Sequence, residues 1–232
     1  MHGWCCDSLY WDRWKNYFEE NGWQWDSNER GYGRINPINF KWYKNNKNSR
    51  ARSKEIIIAH SLGFHLIEEE TLQKASAIIL INSFGKFVSK EKSDRKLKLS
   101  LKIMLSKIGS ENEYEMIKNF HSQATSPNKI CKTNSNIMKT GLTNLGRAKL
   151  KEDINYIINC KMLPKGINKN TPFLIIEGEE DLIISDSARS NLRSDLTNHL
   201  KIHPTIWSIE NEGHFISESK LLKAVKDWIE TI

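Results

Sequence analysis

The sequence predicts an α/β fold: a mostly parallel sheet with helices on both faces, and a helical lid insertion between two of its strands. Three observations carry that expectation. First, four short runs have the β-branched, wholly apolar character of buried parallel strands: Glu55-Ile56-Ile57-Ile58-Ala59, Ala77-Ile78-Ile79-Leu80-Ile81, Phe173-Leu174-Ile175-Ile176 behind Pro172, and the more alternating Thr205-Ile206-Trp207-Ser208-Ile209. Second, helix-length segments fall between and after them. Residues 62–74 join the first two runs, and residues 185–200 follow the third with Ala188, Leu192 and Leu196 at four-residue steps. The last segment sets Leu221, Leu222, Val225, Trp228, Ile229 and Ile232 on one helical stripe. Third, residues 86–151 hold no strand-like run. Leu97, Leu101, Met104, Leu105 and Ile108 repeat there at helical spacing, as do Tyr114, Ile117 and Phe120 with His121. The chain therefore divides into a first part of the core (1–85), the helical lid insertion (86–151) and a second part of the core (152–232). Asn45-Asn46-Lys47-Asn48-Ser49-Arg50 reads as a polar loop or helix end without chemistry of its own.

Composition bounds the function classes. Of 232 residues, 38% are hydrophobic and 9% aromatic, enough for a packed core and against a disordered chain. The longest uninterrupted apolar run, residues 77–81, is far shorter than a membrane span, so no membrane association is expected. Met1-His2-Gly3-Trp4 lacks the charged and apolar regions of a secretory signal. Cys5, Cys6, Cys131 and Cys160 form no C-x-x-C pair and show no metal-ligand spacing, which reads as reduced thiols in a cytoplasmic protein without a metal.

The formal charge is +7, but Lys, Asn and Ile supply 76 of the 232 residues, a bias that fills solvated positions with lysine for compositional reasons. Location is more informative than the sum. Residues 86–151 carry 15 Lys and Arg against 5 Asp and Glu, and hold 13 of the 26 lysines; the rest of the chain is slightly acidic. A solvated helical face explains such a cluster, and so does a surface that steers an acidic partner.

The chemistry-bearing residues follow the strands. The first strand runs into Ala59-His60-Ser61-Leu62-Gly63 and then a helical segment, close to the G-x-S-x-G elbow, in which a sharp turn exposes the serine hydroxyl at the carboxyl edge of a sheet. Ala59 stands for the first glycine, Gly63 is kept, and Phe64 follows where a small residue is usual. The third strand ends in Glu177-Gly178-Glu179-Glu180-Asp181, where Asp181 is placed to orient an imidazole and the three glutamates read as a solvated acid cluster. Gly213-His214 comes after the fourth strand and before the last helix. Singly, each of these is an ordinary loop residue. Together, in the order Ser61, Asp181, His214 and each at a strand's carboxyl end, they read as a nucleophile, acid and base. His2-Gly3-Trp4 adds an H-G pair of the kind that opens an oxyanion loop, with the backbone N–H groups of Trp4 and Leu62 as donors. Residues 23–26 read as a further strand, leading to Asp26 and Arg30-Gly31-Tyr32-Gly33, a D-x-R-G-x-G pattern with a small insertion.

On these residues the chain resembles the α/β-hydrolase superfamily over its whole length. More narrowly it resembles the pimeloyl-[acyl-carrier protein] methyl ester esterases of biotin biosynthesis. The narrower likeness rests on His2-Gly3-Trp4, on Gly213-His214-Phe215-Ile216-Ser217, and on an insertion that holds Phe120-His121-Ser122-Gln123 and ends near Gly141-Leu142 and Leu145. The resemblance implies a cytoplasmic serine carboxylesterase needing no metal or organic cofactor. It also implies Trp4 and Phe120 as substrate contacts, Phe120 being equally at home in the core of the lid, and an acidic carrier protein docked on the basic lid. The places where that family carries basic lid residues hold Glu115 and Asn119 here, so the docking contacts do not transfer residue by residue. A general short-chain esterase, thioesterase or carbon–carbon hydrolase of the same fold is the first alternative. A catalytically inactive binding protein, with the basic insertion turned to nucleic acid, is the second; the reading here expects no nucleic acid.

In the resembled fold the strand leading to the H-G pair lies mid-sheet, between the strand at 23–26 and the one at 55–59. This sequence has no residues for it ahead of His2. The expectation is an N-terminal strand missing from the sheet, with Met1 an internal methionine of a chain that starts about 5–6 residues upstream.

Overall fold

The computed structural model describes residues 1–40, 42, 54–88, 94–128, 136–217 and 221–232. The polar stretch at 45–50 and Cys131 lie outside the described residues. The four apolar runs form strands β1 (Ile56–His60), β2 (Ala77–Ile81), β3 (Phe173–Gly178) and β4 (Thr205–Ile209). Among the described residues they make one sheet in the order β1-β2-β3-β4, every pair parallel. β2 and β3 are buried along their whole length, which is why their sequences lack polar alternation, whereas the edge strand β4 exposes Thr205, Ile206 and Ser208.

Alternate side chains of each strand feed two cores. Ile79, Ile81, Leu174 and Ile176 meet α1 (Asp12–Glu20), through Trp14 and Phe18, and α8 (Leu222–Thr231), through Val225 and Ile229. Ile57, Ala59, Ile78, Leu80 and Ile175 point the other way, onto Leu72 of α2 (Glu69–Lys74) and Leu192 and Leu196 of α7 (Asp186–His199). Each Ile, Leu, Val or Phe side chain fully buried in this way contributes roughly 1.5–3 kcal/mol. The terminal stripe is real over Leu221, Val225 and Ile229, while Ile232 at the helix end is exposed.

Between β2 and β3 come α3 (Asp94–Lys107), α4 (Glu113–Thr125), α5 (Ile137–Thr140) and α6 (Asn144–Asn159). They build a third core from Leu101, Ile117, Leu150 and Ile154, which closes on Trp4, Tyr32, Leu62 and Phe84 at the carboxyl ends of the strands. α6 runs past residue 151, and Tyr114 is exposed rather than on the apolar stripe. No helix among the described residues is long and apolar enough to cross a membrane.

Two expectations are corrected. Residues 23–26 are not a strand. They have no ladder partner among the described residues, and unpaired backbone cannot hold a sheet position. Trp23 and Trp25 pack instead on Phe18 of α1. Between this stretch and β1 lies a cavity of about 140 Å³, lined by Met1, Trp11, Trp25, Ile56, Ile58 and Ile229 among others. Met1 runs alongside the end of β1, its nitrogen donating to Ile58 O (2.8 Å) and its carbonyl accepting from His60 N–H (3.0 Å). Residues 62–74 are not one helix either. A 3-10 segment, Ser61–Leu66, is followed by extended Ile67 and Glu68 before α2 begins. With three residues per turn, Phe64 and Ile67 both reach the sheet core, while Leu62 turns to the insertion core.

The segment after β1 passes so close to the N-terminal loop that a Cβ on Gly63 would lie 2.3 Å from Met1 O and 2.8 Å from His2 O. Gly63→Ala is accordingly predicted to destabilise the protein by about 1–3 kcal/mol, read as a fall in the urea midpoint at unchanged m-value.

Candidate active site

The parallel register aligns His60 with Ile81 and Ile81 with Ile176, so the residues that follow β1, β2 and β3 emerge along one edge. Ser61 is the first residue after β1 and has φ 53°, a left-handed backbone that a side chain adopts only under constraint. The constraint is the loop beside it. A Cβ on Gly3 would sit 2.9 Å from Ser61 Cβ and 3.0 Å from His60 Nδ1, so this loop reaches the serine because residue 3 has no side chain. Trp4 and Leu62, the two expected amide donors, flank that contact in the sequence, and both are buried.

Asp181 and His214 come together as expected. His214 Nδ1–H donates to Asp181 Oδ2 at 2.8 Å, with both residues buried. The other carboxylate oxygen accepts from the N–H groups of Ile183 (2.7 Å) and Ile184 (3.0 Å), which fixes the acid in orientation. Since a carboxylate only accepts, the imidazole proton sits on Nδ1 and Nε2 is left with its lone pair, the tautomer a general base needs. The Ser61 hydroxyl makes no hydrogen bond to His214 in this structure; such contacts are often long until substrate binds. Several ties hold the histidine loop, among them one from α4 and one from β1. Phe215 N–H donates to Ala124 O in α4, and His60 Nε2–H donates to His214 O (3.0 Å), with the two imidazoles 4.7 Å apart.

The insertion closes over this edge. Trp4 meets Phe120 edge to face at 4.9 Å, and its indole N–H donates to Leu150 O of α6 (3.1 Å). His121 of α4 donates to Cys5 O (3.1 Å). Arg30, from the R-G-x-G loop, makes a two-point pair with Asp153 of α6 (2.8 and 2.6 Å), and the Tyr32 hydroxyl donates to the same carboxylate. That pairing holds the Arg30 guanidinium charged, and burial beside Asp153 pushes the Tyr32 phenol well above its ordinary value, so it remains a donor. The centre is shut from solvent: Ser61 is 6% exposed, Asp181 8% and His214 1%. Among the described residues no three His, Cys, Asp or Glu side chains are grouped to hold a metal ion.

No family model matches the chain, and no curated protein matches it in sequence. Solved structures do match. An esterase from Exiguobacterium antarcticum superposes with a TM-score of 0.71 at 13% identity, over 99% of this chain and 90% of its own. A thermophilic esterase from Thermogutta terrifontis gives 0.66 at 12%, over 99% and 88%. An alpha/beta hydrolase fold protein from Burkholderia ambifaria gives 0.59 at 14%, over 98% and 88%. The chain has the α/β-hydrolase fold. At such identities the likeness is one of architecture, and the chemistry has to be argued from the residues.

Within the α/β-hydrolase fold, several residues that shape the site carry no motif signal. Asp153 sits in a helix whose sequence reads as ordinary surface. Glu177, expected to be a solvated acid, is buried and paired with Arg193 of α7, because it is the penultimate residue of β3 and faces that helix; Glu179 and Glu180 are exposed as expected. Asn82 and Ser83, both buried, follow β2 directly, and a polar pair ending a wholly apolar strand is a readable sign of the functional edge.

Three histidines around the centre are held neutral. Burial pushes His65 and His121 down to about 4, and burial together with the neighbouring His214 pushes His60 well below its ordinary value. Each takes up its proton in the unfolded chain first, near pH 6.5, so their contribution to stability is complete above that pH and is lost as pH falls toward 4. A thermal melt at pH 4.5 is predicted to have a midpoint lower than at pH 7.5 by about 5 °C or more; equal midpoints would contradict neutral burial.

Proposed function

We propose that this chain is a serine carboxylesterase. The observation that carries the reading is the buried Asp181–His214 hydrogen bond, set on the same sheet edge as a serine in a left-handed elbow. In the reaction, His214 Nε2 takes the proton of Ser61 as its oxygen attacks the ester carbonyl. Asp181 holds the imidazole and offsets the positive charge that forms on it. The amides of Trp4 and Leu62 stabilise the oxyanion. His214 then returns the proton to the departing alcohol, water attacks the acyl-enzyme by the same route, and the acid is released. Replacing Ser61 by Ala is predicted to lower turnover of a p-nitrophenyl ester by about 10³-fold or more without unfolding the protein; retained turnover would refute the assignment.

The substrate proposed is an acyl methyl ester, pimeloyl-[acyl-carrier protein] methyl ester in the narrow reading, with methanol leaving. Phe120 and Trp4 would line the acyl chain. Its support is the set of short motifs shared with that family, together with the character of α3. There Arg95, Lys96, Lys98 and Lys102 are exposed around two exposed aliphatic side chains, Leu99 (60%) and Ile103 (46%). A basic surface with an apolar centre suits an acidic, amphipathic partner. A general short-chain esterase is the second reading, favoured by neighbours whose names say esterase and no more. The double charge reversal Lys96→Glu with Lys102→Glu separates the two. Carrier docking predicts a several-fold rise in KM for the carrier-linked ester, weakening with salt, while turnover of a small ester is kept.

A further inference from the structure

The three segments that supply Ser61, Asp181 and His214 come from distant parts of the chain, and each lies beyond the end of its strand. Asn82 and Ser83 touch all of them. Both residues are 0% exposed and follow β2 directly. Asn82 has φ 42°, a left-handed backbone that asparagine tolerates better than most side chains, and its N–H extends the β2–β3 ladder to Ile176 O (2.9 Å). Its side-chain amide is fully used. Nδ2 donates to Gly213 O and to His214 O, both at 2.9 Å, and Oδ1 accepts from Gly178 N–H at 2.8 Å. One amide thus joins the histidine loop to the start of the turn that leads to Asp181. Ser83 Oγ donates to Ser61 O at 2.8 Å, on the residue whose backbone is left-handed. An apolar pair here would take from the buried Gly213 carbonyl and Gly178 amide the partner each has, and would remove a donor from the Ser61 and His214 carbonyls, so the polar pair is matched to its surroundings.

We propose that Asn82 and Ser83 are positioning residues for the Ser61, His214 and Asp181 centre, Ser83 holding the serine elbow and Asn82 setting the histidine loop against the acid turn. The inference rests on the esterase reading. It gives Ser61 and His214, with no hydrogen bond between them in this structure, a common support at one sheet edge before an ester binds. Misplacement of reacting groups by about 1 Å costs on the order of 100-fold in rate.

The test compares Ser83→Ala, Asn82→Gly, Ser61→Ala and a core variant, Leu192→Ala, whose side chain lies in the sheet core under α7. Glycine at 82 keeps the left-handed backbone and deletes only the amide. Turnover of a p-nitrophenyl ester is measured per site titrated with a serine-reactive phosphonate in the variants that keep Ser61, and per mole of folded protein in Ser61→Ala, alongside Tm. Ser83→Ala and Asn82→Gly are expected to lower kcat per site roughly 10- to 100-fold, with KM within about threefold of the parent. Leu192→Ala is expected to lose Tm but keep kcat per site. Parental kcat per site in Ser83→Ala and Asn82→Gly overturns the proposal, and so does an equal loss in Leu192→Ala at matching Tm. If Asn82→Gly fails to fold, Ser83→Ala decides. Turnover retained in Ser61→Ala overturns the esterase reading and the proposal with it, whereas loss in Ser61→Ala with parental kcat in the two variants overturns the positioning role alone.

Discussion

A left-handed backbone at Ser61 is the constraint around which this molecule is arranged. A side chain at φ 53° costs on the order of 1 kcal/mol or more relative to an ordinary conformation, so the surroundings have to hold it there. They do so from three sides. The loop at Gly3 touches Ser61 Cβ, the turn at Gly63 is wedged under the carbonyls of Met1 and His2, and the Ser83 hydroxyl holds the Ser61 carbonyl. The return is geometric: the chain turns sharply at Ser61 as it leaves a strand, at the edge where the Asp181–His214 pair is built.

The insertion contributes in two different ways. Toward the core it is tied down by the Arg30–Asp153–Tyr32 cluster, by the Trp4 indole on Leu150 O and by His121 on Cys5 O. Every one of these ties ends on the loops at residues 4–5 or 30–32, so the side chains that seal the site also brace the loop that follows Gly3. Toward solvent the same insertion carries much of the molecule's positive charge. The rest of the chain is slightly acidic in composition, so the positive charge is concentrated in the insertion. The proposed docking of an acidic partner would use the solvent face of α3, while the opposite faces of the insertion helices pack on the core.

The sheet was legible because its strands are buried on both faces, and burial leaves an unmistakable run of β-branched residues; β2 and β3 match the apolar runs nearly residue for residue. Ser61, Asp181 and His214 were legible as positions because each follows such a run. What escaped depends on neighbours distant in sequence. Residues 23–26 have strand-like composition but no partner to pair with. The 3-10 winding after Ser61 answers to Phe64 and Ile67 meeting one core while Leu62 meets another. Glu177 looks like one of a trio of surface acids until Arg193, on the next helix, is seen to cover it. The Asn82 amide and the Asp153 carboxylate have meaning only once the loops they join are side by side.

The most direct measurement is to locate the bond the centre is built to make. The protein is treated with a serine-reactive fluorophosphonate, digested and mapped by mass spectrometry, with a parallel sample unfolded in urea before treatment. The account predicts a single stoichiometric adduct on Ser61 in the folded sample and none in the unfolded one, because an unactivated serine is a poor nucleophile. An adduct on another residue, or equal labelling of Ser61 folded and unfolded, would contradict it.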